Sequence, residues 1–297
     1  MKIGVIGGGA LGLLVSGFLA LHSHNVTLYC RREDQQKNID KNGIYIESAV
    51  QANFNVRVST GIFPHIQEEE LFIVATKQNA IHDVMKVLSK KLRSGQGVLF
   101  LQNGMSHIQW FDCIPTTVYV GTVEHGAKKV SDTQVVHTGN GQINIAIWKG
   151  NKDLLGLSAR LHHDTFPFIW KEDGQALLKW KLIVNAVINP ITALFKVKNG
   201  TILNNAYLLK MAYDLCQEAS GVLRLPFDDA WKYVQQICQR TSENESSMLK
   251  DILNGRQTEI DAISGFIIDE ADDQPIPYTL FVYQSIKALE EEEKRNG

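Results

Sequence analysis

The sequence predicts an α/β domain followed by an all-helical domain. Short apolar strands alternate with helical stretches in the first half, which is typical of a parallel sheet covered on both faces. From about Gly174 onward the apolar residues recur every three or four positions, which indicates helices. At 297 residues the chain also exceeds the usual length of one domain, about 100–200 residues. We place the boundary near Pro167 and expect domains at residues 1–167 and 168–297.

The strands of the first half are short runs rich in β-branched and aromatic residues, bounded by turn or polar residues. They are "KIGVIG", "NVTLYC", "LFIVATK", "GVLFLQN" and "TVYVGTV". A helix is predicted from about Ala10 to His22. The segments "TQVVHTG" and "QINIAIW" follow without an intervening helix, so we expect them to extend the sheet in antiparallel orientation.

The helices of the second half follow from the same periodicity. Their segments are "LLKWKLIVNAVI", "LLKMAYDLCQEASGVL", "AWKYVQQICQ", "TEIDAISGFIIDEA" and "TLFVYQSIKALEEEEKR". The charged end of the last segment is interpreted as a solvated terminus.

The composition is that of an ordinary globular protein, with 44% hydrophobic residues, 21% charged residues and a formal net charge of -2. Nothing in it indicates a nucleic-acid partner. The four cysteines, Cys30, Cys113, Cys216 and Cys238, are widely separated and form no CxxC pair. We therefore expect free thiols, no disulfide framework and no metal site.

An uncharged stretch from Ile3 to Leu21 has the hydropathy of a signal peptide or membrane span. Gly7, Gly8 and Gly9 interrupt it where such a segment should be most helical, and each glycine costs roughly 1 kcal/mol there relative to alanine. We reject that interpretation. No other segment is expected to span a membrane, so we predict a soluble, cytoplasmic protein.

Gly7, Gly9 and Gly12 stand in G-x-G-x-x-G spacing between a predicted strand and a predicted helix. This context indicates a Rossmann-type dinucleotide site. Gly7 would permit the tight turn, Gly9 would let the backbone approach the pyrophosphate, and Gly12 would let helix and strand pack closely. The alternative is a tight turn that binds no ligand.

The end of the second strand reads Cys30-Arg31-Arg32-Glu33, where an NAD-binding protein needs an acid. Arginine suits a 2′-phosphate, because its planar fork pairs with phosphate oxygens. The pattern favours NADP(H), although the nearby acid Glu33 would suit NAD. Two solvated surface arginines are the alternative.

Lys181, Asn185 and Asn189 are spaced four residues apart in an apolar run, so on a helix they form one polar stripe. Buried amides and a buried ammonium need hydrogen-bonding partners, which indicates a structural network or a substrate site. An ordinary surface lysine is the third interpretation. Pro190 disfavours helical geometry at Asn189 and predicts a kink or helix boundary that aims this side chain into a cleft.

Together with the glycine turn, three ordered motifs carry a family resemblance. They are "QNGM" at Gln102–Met105, "KLIVNAVINPITAL" followed by "VKNG" at Val197–Gly200, and "SSMLKDILNGRQTEID" at Ser246–Asp261. On these motifs the chain resembles the ketopantoate reductases, also called 2-dehydropantoate 2-reductases, over essentially its whole length.

The resemblance implies reduction of the C2 ketone of 2-dehydropantoate to (R)-pantoate, with NADP(H) as cofactor and a small ketoacid as partner. It implies Lys181 as the general acid, and Glu259 as an acid that contacts the cofactor across the domain cleft. Independently of the resemblance, we expect the charge of Glu259 to favour the protonated form of Lys181. The substrate-binding residues that the resemblance implies are Asn103, Asn185, Asn189, Asn199 and Ser247. The cofactor-binding residues that it implies are Gly7, Gly8, Gly9, Ala10, Leu11, Gly12, Arg31, Lys77, Asn103, Ala127 and Glu259.

Two positions depart from the family pattern or resist alignment. Ser106 follows "QNGM" where glycine is common, and Asn244 lies in "TSENE", whose alignment is ambiguous, so its role stays open.

The rival interpretations are a 2-oxo- or hydroxy-acid dehydrogenase of the same build and a non-catalytic NADP(H) sensor. We expect domain closure on binding. The sequence does not fix the oligomeric state, and a homodimer is among the states it allows.

Overall fold

The computed structural model describes residues 1–48, 52–150 and 156–296. Two compact units comprise Met1–Gln102 with His107–Leu177, and Asn103–Ser106 with Leu178–Gly297. The first is an α/β unit and the second is helical, which confirms the predicted fold class. The predicted boundary after residue 167 stays a prediction.

The strands form two sheets. Their bounds are β1 Lys2–Ile6, β2 Asn25–Cys30, β3 Ile44–Ser48, β4 Phe54–Val56, β5 Ser59–Ile62, β6 Leu71–Val74, β7 Gly97–Phe100, β8 Thr117–Val123, β9 Gly126–Lys129, β10 Gln134–Gly139, β11 Ile143–Lys149 and β12 Phe168–Trp170. The larger sheet has the order β12-β11-β8-β7-β6-β1-β2-β5, and the smaller has the order β4-β3-β10-β9.

The helices have the bounds α1 Ala10–Leu21, α2 Glu33–Asn42, α3 Ile81–Lys91, α4 Leu157–Leu161, α5 Gly174–Phe195, α6 Thr201–Asn204, α7 Ala206–Leu223, α8 Phe227–Arg240, α9 Ser247–Leu253, α10 Phe266–Asp269 and α11 Pro277–Asn296. A π-helix at Asp261–Gly265 runs directly into α10. The predicted helices are thus present, with the π-helix as an addition within "TEIDAISGFIIDEA".

The centre of the larger sheet is parallel and deeply buried. Strands β5, β2, β1, β6, β7 and β8 all run in the same direction. Every residue of β6 and β7 is buried, as expected for strands covered on both faces. The parallel sheet predicted from the apolar runs is confirmed.

The antiparallel extension was predicted correctly for one of its two segments. Strand β11, from "QINIAIW", pairs antiparallel with β8. Strand β10, from "TQVVHTG", instead joins the smaller sheet, where it pairs parallel with β3 and antiparallel with β9. Helix α1 packs closely on this smaller sheet, because a side chain at Gly17 would come within 2.3 Å of Ile46 Cδ1. The smaller sheet that β10 joins therefore covers the buried face of α1.

Helix α5 is apolar on nearly all sides and lies in the core. Every residue from Leu182 to Pro190 is buried. The helix continues past Pro190 to Phe195, so a helix boundary at Pro190 was wrong, and the alternative of a kink there stays a prediction. Packing around the helix outweighs the loss of one backbone donor.

By length and apolar composition, α5 passes as a candidate membrane span, a candidate that the sequence-based prediction did not name. In the structure 72% of its apolar window is buried inside the protein, as in the core helix of a soluble protein. The four cysteines are free, as predicted. Burial raises the pKa of Cys216 and Cys238 to about 12, so these thiols stay protonated.

Candidate active site

The glycine turn lies at the point where the strand order of the larger sheet reverses. Strand β1 has β2 on one side and β6 on the other, and the turn joins β1 to α1. Crevices at the carboxyl ends of strands at such a switch point are where doubly wound sheets bind ligands. Topology therefore supports the dinucleotide site that the spacing predicts.

Three glycines shape this turn in different ways. Gly7 has a φ of +114°, which side-chain-bearing residues rarely adopt. A Cβ at Gly12 would lie only 1.8 Å from the carbonyl oxygen of Gly7, so helix and turn approach too closely for any side chain. A Cβ at Gly9 would meet no atom within 4 Å, which leaves open space where α1 begins.

The backbone of the turn leaves room and donors for a phosphate group. Gly9 caps α1 without a side-chain hydrogen bond, and its carbonyl accepts from the amide of Leu13. The first N–H groups of a helix have no intrahelical acceptors and attract anions. Ala10 and Leu11 occupy this first turn, as the predicted cofactor site requires.

The two arginines after β2 have different surroundings. Arg32 forms ion pairs with Asp34 at 2.8 Å and with Asp132 at 2.5 Å. Arg31 is exposed and makes no ion pair within the residues that the structure describes. Glu33, the contrary sign in the sequence, pairs with Lys37 at 3.5 Å. The carboxylates therefore leave Arg31 as the arginine available for a 2′-phosphate.

Lys77 and Ala127, the other predicted cofactor residues of the first unit, lie on separate elements. Lys77 is exposed and precedes the 3₁₀ turn Gln78–Ala80 that follows β6. Because β6 and β2 flank β1, Lys77 and Arg31 follow the two strands beside the glycine turn. Ala127 lies half-buried in β9.

The polar stripe on α5 combines one half-buried lysine with two buried amides. Lys181 is partly exposed, whereas Asn185 and Asn189 are only 7% and 6% exposed. All three lie on one continuous helix, so the i, i+4, i+8 alignment predicted from the sequence is confirmed.

Asn199 is held against the segment that precedes α9. Its amide nitrogen Nδ2 donates to Thr241 Oγ1 at 2.9 Å, and its backbone N–H donates to the carbonyl of Asn244 at 3.0 Å. Its Oδ1 atom is buried and has no hydrogen-bond partner among the described residues. An acceptor left open in a buried amide is available to a ligand hydroxyl.

The start of α9 is tied to α5 by a hydroxyl pair. Thr192 Oγ1 on α5 donates to Ser246 Oγ at 2.7 Å, and Ser246 Oγ accepts from the amide of Leu249 as the helix cap. Ser247, the predicted substrate residue, is the exposed first residue of α9. The buried serine is thus the structural one, and its neighbour is free to face solvent.

Asn103 and Glu259 meet directly, although 156 positions separate them in the sequence. The Nδ2 atom of Asn103 donates to Glu259 Oε2 at 2.8 Å. The next residue, Gly104, has a φ of +78°, and a Cβ there would lie 2.2 Å from the carbonyl oxygen of Ala262 in the π-helix. The glycine of "QNGM" thus permits the contact between this loop and the π-helix.

The segment before Glu259 is anchored by a buried acid of the last helix. Glu290 is 5% exposed, and its Oε1 accepts from the backbone N–H and the hydroxyl of Thr258, both at 2.7 Å. The interpretation of the α11 end as wholly solvated was therefore wrong at Glu290. The carbonyl of Glu259 then accepts from Ala262 and Ile263 in the π-helix.

Several residues at these places were not identified from the sequence. The carbonyl of Gly8 accepts from Gln35 Nε2 at 2.8 Å and from Lys129 Nζ at 3.0 Å. Lys129 lies two residues after Ala127 on a strand, so its common face with a predicted cofactor residue was a usable signal. Among residues 1–48, 52–150 and 156–296, no cluster of three His, Cys, Asp or Glu side chains could hold a metal ion.

Comparison with known proteins matches both parts of the chain to one family description. The family model "Ketopantoate reductase PanE/ApbA" matches residues 3–150, and its C-terminal counterpart matches residues 175–290. The 2-dehydropantoate 2-reductase of Bacillus subtilis (strain 168) is 41% identical over 300 residues, which span 98% of this chain and 98% of that protein.

Solved structures agree. A crystal structure of a probable 2-dehydropantoate 2-reductase from Bacillus subtilis has a TM-score of 0.89 at 40% identity, covering 97% of this chain and 100% of that chain. A D-mandelate dehydrogenase with NADH and anilino(oxo)acetate has a TM-score of 0.90 at 20% identity, covering 99% of this chain and 100% of that chain, which shows a shared fold. The identity over both full lengths and the two family models show that the chain belongs to the ketopantoate reductase family.

Proposed function

We propose that this protein reduces the C2 ketone of 2-dehydropantoate to pantoate with NADPH, and that Lys181 is the general acid. The observation that carries the proposal is the half-buried lysine aligned with two buried asparagines on α5. The family supports it, since its relatives carry the name of this reaction.

Lys181 has the chemistry that the reaction needs. Reduction of a ketone places negative charge on its oxygen, and a donor at that oxygen stabilises the transition state more than the ground state. The ammonium donates the proton, while the buried amides of Asn185 and Asn189 bind polar groups of the substrate.

Asn103 and Glu259 form the second element of the proposed site. The 2.8 Å hydrogen bond fixes the amide of Asn103 with its carbonyl oxygen directed away from the carboxylate. Glu259 contributes negative charge, which favours the protonated form of a nearby lysine. We assign Asn103 to substrate and cofactor, and Glu259 to the charge balance of the site.

Asn199 and Ser247 complete the substrate contacts that we propose. The unpaired Oδ1 of Asn199 accepts a hydrogen bond from a substrate hydroxyl. The hydroxyl of Ser247 is exposed and donates to the substrate carboxylate. The adjacent Ser246 is already committed to Thr192 and Leu249, so it does not take this role.

The cofactor site fits NADP(H). The space at Gly9 admits the pyrophosphate, and a Cβ would fill it. Arg31 and Lys77 supply the positive charge for the 2′-phosphate, since Arg32 is already paired with Asp34 and Asp132. When bound, NADPH supplies the hydride for the ketone carbon.

The test is a comparison of substrates and of lysine variants. We expect wild-type protein to oxidise NADPH faster than NADH, and faster with ketopantoate than with ketoisovalerate or pyruvate. Lys181→Ala should lower turnover by about 10²–10⁴-fold, the usual contribution of general acid catalysis, with an unchanged Kd for NADPH.

Lys179→Ala is the matched control, because it removes a half-buried lysine from another face of the same helix. It should keep wild-type turnover. Near-normal turnover of Lys181→Ala would refute the catalytic assignment. NADPH binding without oxidation by any ketoacid would identify a sensor, and faster reduction of another 2-oxo acid would identify a related reductase.

A further inference from the structure

The carbonyl oxygen of Gly8, inside the glycine turn, is held by two side chains from outside the motif. Gln35 of α2 donates to it at 2.8 Å, and Lys129 of β9 donates to it at 3.0 Å. Both donors are remote in sequence, by 27 and 121 positions. The conformation of the turn is thus set by a helix and a strand as well as by its own glycines.

Holding this carbonyl also orients a donor. Across a trans peptide the C=O and the next N–H point in opposite directions, so the bonds to the Gly8 oxygen direct the N–H of Gly9 the other way. The side of Gly9 is open, since a Cβ there would meet no atom within 4 Å. A fixed backbone donor at the start of α1 is the group that a pyrophosphate needs.

Lys129 is itself fixed in place. Its Nζ also donates to Asp132 Oδ1 at 3.1 Å, and Asp132 accepts from Arg32 at 2.5 Å. Although partial burial alone would raise the pKa of Asp132, Lys129 and Arg32 lower it below its usual value. Asp132 therefore stays ionised and holds the ammonium of Lys129, which is 30% exposed, against the turn.

We infer that Lys129 is a positioning residue for the cofactor pyrophosphate, which it serves by fixing the Gly8 carbonyl and thereby the N–H of Gly9. The inference rests on the proposed binding of NADP(H). The pyrophosphate is common to NADPH and NADH, whereas the 2′-phosphate belongs to NADPH alone. A positioning role for the turn therefore affects both cofactors equally.

The experiment measures the Kd of the full-length protein for NADPH and for NADH in Lys129→Met, which keeps the apolar stem and removes the ammonium. We expect both Kd values to rise by the same factor, about tenfold, as expected for losing a charge-assisted hydrogen bond. Turnover with ketopantoate at saturating NADPH should stay within about twofold of wild type, because Lys129 acts through binding.

Two further variants serve as controls. Lys128→Met removes the same charge from the exposed, opposite face of β9 and should change either Kd by less than about twofold. Lys129→Arg restores a cationic donor and should recover most of the affinity for both cofactors.

Each other result overturns the inference. A rise confined to NADPH would make Lys129 a 2′-phosphate ligand, and unchanged Kd values would leave it a structural residue. Should Lys129→Met not fold, Asp132→Asn, which weakens the hold on the ammonium, must give a smaller parallel rise, and its absence refutes the inference. Oxidation of NADPH by wild-type protein with ketopantoate tests the proposed function separately.

Discussion

The glycine turn and the polar stripe of α5 are built by opposite means. In the turn, the missing side chains matter: at Gly12 a single methyl group would collide with the backbone, and at Gly9 it would fill the open space. On α5 the side chains matter: a lysine and two amides are aligned on a helix that is buried from Leu182 to Pro190. The turn therefore depends on the absence of side chains, whereas the stripe depends on buried polar side chains.

This difference decides what each region tolerates. A backbone site depends on close contacts within a few residues, so it should fail abruptly when one atom is added. A side-chain site depends on partners from distant segments, such as Thr241 for Asn199 and Glu290 for Thr258. It should weaken in steps as each partner is removed.

The strongest test of the contrast is Gly12→Ala. Its Cβ would lie 1.8 Å from the Gly7 carbonyl oxygen, and backbone cannot rotate away as a side chain can. We expect a loss of more than about 3 kcal/mol in the free energy of unfolding, measured by urea denaturation.

Gly9→Ala is the matched comparison, since its Cβ meets nothing within 4 Å. It should change the unfolding free energy by less than about 1 kcal/mol while weakening NADPH binding, because the methyl group would project into the space that we propose for the pyrophosphate. Equal stability of the two variants would contradict the claim that backbone contact leaves no room for a side chain at Gly12.

The two units should also differ in acid sensitivity, because all nine histidines lie at or before position 163, in the first unit. Burial lowers the pKa of His107 to about 3, and burial with the charge of His137 lowers the pKa of His125 to about 4. Protonation therefore favours the unfolded state. The stability is full above pH 6.5 and declines as the pH falls towards the folded pKa values, by about 1.4 kcal/mol per pH unit for each histidine.

His107→Phe tests this directly. The ring is fully buried against Phe100 and Phe111, so phenylalanine keeps the packing and removes the titration, along with the 2.8 Å hydrogen bond to Gln78 Nε2. Between pH 6.5 and 5 the variant should lose about 2 kcal/mol less than wild type in chemical denaturation. His65→Phe, which replaces an exposed histidine, should keep the wild-type dependence of unfolding free energy on pH. If His107→Phe shows that same dependence, His107 does not cause the loss of stability in acid.

Glu290→Gln probes the anchoring of the segment that carries Thr258 and Glu259. The amide keeps the shape but weakens the two 2.7 Å hydrogen bonds to Thr258, so we expect a loss of about 1–2 kcal/mol in unfolding free energy. The value of kcat/KM for ketopantoate should fall severalfold, since Glu259 follows Thr258. The control Glu291→Gln alters an exposed neighbour and should match wild type. An unchanged kcat/KM in Glu290→Gln would show that the contact between Glu290 and Thr258 does not affect the active site.

Thr241→Val should have the smallest effect. It removes the acceptor of the Asn199 amide at 2.9 Å, so the open Oδ1 is no longer held in one orientation. We expect the KM for ketopantoate to rise about fivefold with kcat within twofold, the size of one neutral hydrogen bond. Thr201→Val, at the start of α6, is the control. A change in kcat without a change in KM would contradict a role of Asn199 in substrate binding.

Local patterns predicted the parts of the fold that depend on neighbouring residues. The strand, glycine turn and helix at the N-terminus follow from spacing within about twenty positions, and the stripe on α5 follows from a repeat of four. The smaller sheet was not predicted, because β3 pairs with β10 across some ninety residues. No periodicity within "TQVVHTG" distinguishes one sheet from the other.

The same limit applies to the candidate site. Glu290 lies in the run "EEEEK", which has the pattern of a solvated helix end, and only its contact with Thr258, 32 residues earlier, reveals it as buried. Lys129 and Gly8 are 121 positions apart. The roles of the site residues, domain closure, a homodimer and a cytoplasmic location stay predictions.

Because α5 is continuous through Pro190, the spacing of its polar side chains along the helix axis is fixed. With a rise of about 1.5 Å per residue, the Cα atoms of Asn185 and Asn189 lie about 6 and 12 Å along the axis from that of Lys181. The buried residues between them leave the helix no freedom to adjust these intervals. In the proposed substrate site, these fixed intervals would set the spacing of the polar groups that a ketoacid presents to the three side chains.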